Sequence, residues 1–255
     1  MAAEPVPSAA NSNQRPQKAA MMVARRIVRD VINAGLRPGD QLAPERTMLE
    51  TYRIGRGTLR EALRLLEFQG VIALKPGPRG GPVLLDPSAS HLASTLVLLL
   101  QLRQAPFRSI VEVRTAMEPM ISRLAAERMS DDALQELAAT IDQMREHLDN
   151  QDVFLDANKR FHDIIAWSSG NPLFGYIVDS LLGILDGTIF GIDYPQPRRV
   201  AIVKAHEEIF RALDSHDPAA AEDRMRAHID AYVRYAERKY PELMDQVVRW
   251  DRMAG

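Results

Sequence analysis

Two groups of residues in this 255-residue chain have the types and spacing to do chemistry. The first is a row of arginines in GRGTLREALRLLEFQG, residues 55–70, where Arg56, Arg60 and Arg64 recur every four positions. At about 100° per residue they form one stripe of a helix, beside an apolar stripe of Leu59, Leu63 and Leu66. The leucines pack, and the guanidinium groups are left to reach something outside. Taken alone, such a row reads equally as a solvated face, and its surroundings decide.

The second group is the six histidines, His91, His147, His162, His206, His216 and His228. Imidazole is the commonest metal ligand. His216 lies in an SHDP turn and His147 in polar MREHLDN, so both are expected to be exposed. His162 stands one turn after Asn158 on the same helix face, His206 opens KAHEEIFRAL, and His228 sits in RMRAHIDAYV. Three inward imidazoles from three helices can make a metal triad in a bundle core. Spacing alone does not bring these three together.

The elements that must position these groups divide the chain in two. Residues 1–17, rich in Pro, Ala, Ser and Asn with no apolar period, read as a disordered tail. From about Lys18, apolar residues recur at helical spacing until Gly35, a helix stop. PERTMLETY is a short second helix with Pro44 at its first turn, and the arginine-striped helix follows, ending at Gly70. VIALK and PVLLD are two β-prone runs separated by PGPRGG, which makes a small hairpin. Helix, helix, turn, helix and β-ribbon together predict a winged helix-turn-helix over residues 18–86. Such a fold places its last helix in a DNA major groove, where arginines reach guanine edges and phosphates.

Residues 87–255 read as helices almost throughout, without a strand pattern. SDDALQELAATIDQMREHLDN opens with Ser130 as a cap, and DPAAAEDRMRAHIDAYVRYAERKY opens with Asp217-Pro218 and carries its basic residues late. Six or seven such helices make an antiparallel bundle. The expected fold is therefore mostly α: an N-terminal winged helix-turn-helix followed by an all-α bundle.

Charge follows the same division. The net charge is −2, but residues 1–86 carry a basic excess of five and the remainder an acidic excess of seven. The arginine row lies in the basic part, as suits an element that meets a polyanion. Cysteine is absent, which excludes disulfides, thiolate metal sites and cysteine nucleophiles and fits a reducing cytoplasm. The longest apolar run, LASTLVLLL at 92–100, is far short of the roughly 20 residues that cross a bilayer. A cytoplasmic protein with no membrane partner is expected. There is no G-x-x-x-x-G-K-[ST] or G-x-G-x-x-G phosphate loop.

The stretch LRPGDQLAPERTMLETYRIGRGTLREALRLLEFQGVIALKPGPRGGPVLL resembles the winged-helix reader of the GntR regulators. That resemblance implies Arg46, Arg56, Thr58 and Arg60 as DNA contacts, Gly57 as a point of close approach, and the Gly77, Arg79 and Gly80 wing in the adjacent groove. The chain departs from the family pattern at Ala43-Pro44 and at Gly55, where the family has hydroxyl residues. A Ser-to-Gly change at an N-cap costs only a few tenths of a kcal/mol, but a hydroxyl that could touch phosphate is missing.

The later stretches RSIVEVRTAMEPMISRLAAERM, NKRFHDIIAWSSGNPLF and KAHEEIFRALDSHDPAAAEDRMRAHI resemble the FCD ligand-binding domain of the FadR subfamily. The resemblance implies a divalent metal held by Asn158, His162, His206 and His228 above an effector cavity. Zinc is the expected ion, with nickel or manganese as alternatives. Asn158 replaces the commoner Asp and is the poorer ligand; Asp156 lies on another face of the helix. Arg114 matches an arginine that lines the family's cavity, where guanidinium would clamp a small organic acid. Its other reading is an i, i+4 pair with Glu118 on a solvated face.

The expected function is a ligand-responsive transcriptional regulator: a homodimer that binds a palindromic DNA operator and senses a small carboxylate metabolite through the metal-containing domain. The alternative is a metal-dependent hydrolase or lyase using the three histidines to activate water. No H-E-x-x-H motif supplies the general base that such a site needs, and the winged helix has no role in that reading.

Overall fold

The structure is a computed structural model and describes residues 14–77, 80–86, 88–185 and 193–250. The chain divides into two compact units, Met1–His91 and Leu92–Gly255.

In the first unit, α1 (Gln14–Asn33) begins inside the stretch expected to be tail; the tail's residues 1–13 lie outside the described residues. α2 (Glu45–Tyr52) has Pro44 at its N-cap, one position outside the first turn, with no side chain capping it. α3 (Arg56–Phe68) buries Leu59, Leu63 and Leu66 against Val23 and Ile27 of α1 and Met48 of α2, with Ile72 completing the core. Tyr52 closes one edge, its hydroxyl donating to Asp30 Oδ2 at 3.0 Å while Arg26 lies over its ring.

β1 (Ile72–Lys75) and β2 (Gly81–Leu84) pair antiparallel, with Ile72 opposite Leu84 and Lys75 opposite Gly81. Their turn depends on glycine. A Cβ on Gly80 would stand 2.2 Å from the Lys75 carbonyl oxygen, and Gly77 holds a φ of +102°; neither place suits another residue.

The second unit is helical: α4 (Ser90–Leu102), which begins at the end of the first unit, α5 (Arg108–Arg128), α6 (Asp131–Glu146), α7 (Gln151–Ser168), α8 (Pro172–Leu185), α9 (Gln196–Asp214), α10 (Pro218–Lys239) and the short α11 (Pro241–Met244). Local chemistry starts several of them. Ser130, Asn150 and Asp217 each accept a hydrogen bond from the backbone N–H three residues on, satisfying donors that the first turn leaves open. α5 packs along α10, α7 lies against α5, α6 and α8, and α9 lies against α6 and α10. Phe107, Ile121, Leu137, Phe154, Phe161 and Leu213 fill the space between them. Among the described residues no helix is long and apolar enough to cross a membrane.

Candidate functional site

The first candidate surface is the outer face of α3. Arg56, Gly57, Arg60 and Arg64 are exposed, as is Arg46 on α2, while Thr58 is half-buried. Leu59 and Leu63 lie buried beneath them, which leaves the guanidinium groups no inward partner. Among the described residues none of the four arginines has an ion-pair partner. Gly55 occupies the N-cap of α3 with no side chain to accept from the first turn, so those backbone N–H groups remain available to an anion. Nothing lies within 4 Å of the place a Gly57 Cβ would take, so the surface there is open to close approach. Gly77 and Gly80 carry the wing turn; Arg79 lies outside the described residues.

The second candidate lies inside the helical unit. His162 on α7, His206 on α9 and His228 on α10 are all buried, and their ligand nitrogens come within 4.8 Å of one another. His206 Nε2 and His228 Nε2 are 3.4 Å apart. Two nitrogens bound at 2.0–2.1 Å to a tetrahedral ion stand roughly 3.4 Å apart, so this pair already has the separation such an ion requires. Burial pushes the pKa of both His206 and His228 well below the usual histidine value, and the neighbouring imidazoles and Arg114 add to it. Both are therefore neutral, the form that binds metal. His206 stacks on Phe161, ring centroids 3.9 Å apart, which holds its plane.

Behind His162 is a carboxylate. Glu118 Oε2 lies 2.7 Å from His162 Nδ1, at ion-pair distance though without hydrogen-bond alignment. Glu118 Oε1 accepts from Arg114 Nε. Burial pushes the Glu118 carboxyl up, and the adjoining Arg114 guanidinium together with His162 more than offsets that, holding it well below the usual carboxylate range. The i, i+4 pair expected on a solvated face is real but buried, between α5 and the histidines. A carboxylate on Nδ1 directs the opposite ring nitrogen, Nε2, toward a metal.

Arg114, Asn158, His162 and His228 line a cavity of about 70 Å³. Asn158 and His162 share one face of α7 as expected, and both reach this cavity; Asp156, assigned to another face, also lies along it. His147 is half-buried rather than exposed, its Nδ1 2.9 Å from the Gln143 carbonyl oxygen. His216 is exposed as expected, with its Nδ1 2.9 Å from the Ala126 carbonyl oxygen. Neither adjoins the three buried histidines.

The cavity residues not read from the sequence include Tyr194, Arg198 and Tyr232. Two carried a usable signal. Tyr232 follows His228 by four, and Arg198, Ile202 and His206 form a row at the same spacing, which places each set on one helix face. A hydrolase would need a general base at the open side of the histidines. Glu118, whose Oε2 lies 2.7 Å from His162 Nδ1, is instead tied behind that ring by Arg114.

Residues 19–79 match the bacterial regulatory proteins of the gntR family, and residues 109–231 match the FCD domain. The chain is 34% identical over 210 residues to the HTH-type transcriptional regulator YcbG of Bacillus subtilis, a match covering 82% of this chain and 86% of that protein. It is 26% identical over 230 residues to the HTH-type transcriptional repressor NanR of Edwardsiella tarda, covering 87% of each. A solved structure described as Streptococcus agalactiae GntR superposes with a TM-score of 0.70 at 25% identity, over 85% of this chain and all of that one.

Proposed function

The chain belongs to the GntR family of bacterial transcriptional regulators, with an FCD domain and no enzymatic role, and we propose that it binds a palindromic operator as a homodimer and senses a small carboxylate through a metal held by its helical unit. In this reading Arg46, Arg56, Thr58 and Arg60 contact the DNA, with Gly57 allowing close approach and the Gly77 to Gly80 wing in the adjacent groove. His162, His206 and His228 hold a divalent ion, with Asn158 as a weaker fourth ligand. Zinc suits the all-imidazole set best. Such an ion would supply a positive site for a carboxylate oxygen. Arg114, its Nε taken by Glu118, turns the rest of its fork to the same acid. Membership of the FadR subfamily and action in the cytoplasm, where the operator is, belong to this proposal.

The observation that carries the reading is the meeting of three buried imidazoles from three helices beside a cavity that also holds an arginine. A purely structural triad has no need of the cavity. Dimerisation draws support from apolar side chains left outside on α4, where Leu99 is 54% and Leu102 72% exposed. A two-fold protein reads inverted half-sites.

The test titrates operator affinity with and without candidate organic acids, in the wild type and in His228→Ala, at a temperature where both are folded. Metal content is measured on the same samples. The proposal expects the effector to change operator affinity by the equivalent of about 1–3 kcal/mol in the wild type, with the response lost in the variant. An unchanged response in metal-depleted His228→Ala refutes the metal as part of the sensor.

A further inference from the structure

Among the cations that line the cavity, Arg198 is the one without a carboxylate partner among the described residues. Arg114 has Glu118, and Lys159 has Asp163 and Asp179 at 3.0 and 2.5 Å. Arg198 lies in the first turn of α9, held there by its neighbour: Arg199 donates to the Leu148 carbonyl at 2.8 Å and to Gln151 Oε1 at 3.0 Å. The Arg198 guanidinium lies over the Tyr235 ring, 4.7 Å from its centroid, and gives one hydrogen bond, from Nη2 to the Ala231 carbonyl at 3.2 Å. Its Nε is buried with no acceptor. Among the described residues no carboxylate pairs with it. A buried donor on a charged group is seldom left unmade without a reason, and a cation in a ligand cavity with donors to spare is a ready anion site.

We propose that Arg198 is a second anion anchor in the cavity, so that the effector is a small acid with two acidic groups, one at the histidine end beside Arg114 and the other on Arg198. The inference rests on the reading of this cavity as the effector site. Tyr194 and Tyr232 line the same cavity as the two arginines, and a tyrosine hydroxyl can donate to an acid group. Charge balance favours the same class. Glu118 already offsets Arg114, so a monoacid at the histidine end leaves Arg198 uncompensated, whereas a diacid satisfies both ends. Size limits the class further: a cavity of about 70 Å³, against roughly 10–15 Å³ for one water, takes a short-chain acid and excludes acyl chains and nucleotides. Asp156, exposed at the rim, disfavours a third acidic group there.

The experiment is calorimetric titration of full-length, zinc-loaded protein with two monoacids, propionate and lactate, and with diacids of three to five carbons, malonate, succinate, malate and glutarate. The wild type should bind at least one diacid about tenfold or more tightly than either monoacid, the effect of one added charge-assisted contact. Arg198→Gln should bring that ratio to within about threefold while leaving monoacid affinity unchanged, and Arg198→Lys should retain part of the preference, since it keeps the charge but loses the fork. A diacid preference undiminished in Arg198→Gln overturns the proposal, as does a wild type that binds monoacids as tightly as every diacid or binds none of these acids. Chelator-treated protein separates this proposal from the broader reading. A diacid preference that survives metal removal supports Arg198 while removing metal from the sensor, and metal-dependent binding with no diacid preference overturns Arg198 alone.

Discussion

Replacing Glu118 by glutamine tests whether the buried carboxylate organises the histidine site. The change keeps the volume, removes the charge and turns one of the two oxygens into an amide, leaving the Arg114 guanidinium buried without an anionic partner and only one oxygen to serve both it and His162 Nδ1, which in the wild type lies 2.7 Å from a carboxylate oxygen. Breaking one side of a buried pair costs about 3–5 kcal/mol. For a domain of this size each kcal/mol moves the melting temperature by roughly 2–4 °C, so Glu118→Gln should melt about 6–20 °C below the wild type in metal-free buffer at pH 7. The pH dependence has a definite sign. Because the folded carboxyl titrates well below its ordinary value, its contribution is complete above an unfolded pKa of about 4.3 and is lost as pH falls toward the folded value. The gap between wild type and variant should therefore be level above about pH 5 and narrow below about pH 4. Differential scanning calorimetry across that range reads both. Replacing the whole pair, Arg114→Met with Glu118→Leu, should recover much of the loss, because no buried charge is then stranded. A drop below about 2 °C with no change in the gap on acidification refutes the argument.

Three further outcomes follow from the same geometry. Arg60→Ala should weaken operator binding by about 1–3 kcal/mol, relaxing base preference if the residue reads a guanine or lowering the salt slope by about one if it meets a phosphate; unchanged binding by a folded Arg56→Ala/Arg60→Ala protein removes α3 as the reading helix. Gly80→Ala, whose Cβ would meet the Lys75 carbonyl oxygen at 2.2 Å, should distort the wing and reduce operator affinity while the melting of the helical unit stays put, as circular dichroism would detect. Leu99→Glu with Leu102→Glu on α4 should turn a micromolar dimer into a monomer in sedimentation velocity, and a wild type that is monomeric both alone and on DNA contradicts the dimer.

The parts of the fold that were legible in the sequence are those decided by neighbours along the chain. Periodicity alone separates Leu59, Leu63 and Leu66 from Arg56, Arg60 and Arg64, and the caps at Ser130 and Asp217 are decided within one turn. The hairpin was legible because the glycines of PGPRGG are required by its backbone. The candidate site is a different matter: His162, His206 and His228 come from α7, α9 and α10, and only packing brings them within 4.8 Å. Spacing suggested each histidine separately, and it took a resemblance to known regulators to group them. Arg114 and Glu118 show the limit most plainly. Their spacing predicts a pair but does not say which face of α5 carries it, and burial turns a solvated ion pair into the support of His162. Arg198 went unread because its row with Ile202 and His206 has meaning only once His206 is known to point inward.

Which helices a ligand would join decides whether this arrangement can signal. The three histidines tie together α7, α9 and α10, and a metal that did no more would simply staple the unit. A carboxylate reaching Arg114 brings in α5, which packs along α10, and a second acidic group on Arg198 grips α9 two turns before His206. A ligand satisfying both arginines would then set the spacing of α5 against α9 and α10 at two separate points, which an ion among the histidines cannot do. A bundle core is densely packed and responds to such a demand by moving between discrete arrangements rather than by stretching. If the operator-bound dimer favours one of those arrangements, linkage requires the acid and the operator to change each other's affinity by the same factor. Removing Arg198 should accordingly weaken the diacid and its effect on operator affinity together, while a monoacid held at the histidine end alone should bind and produce little response.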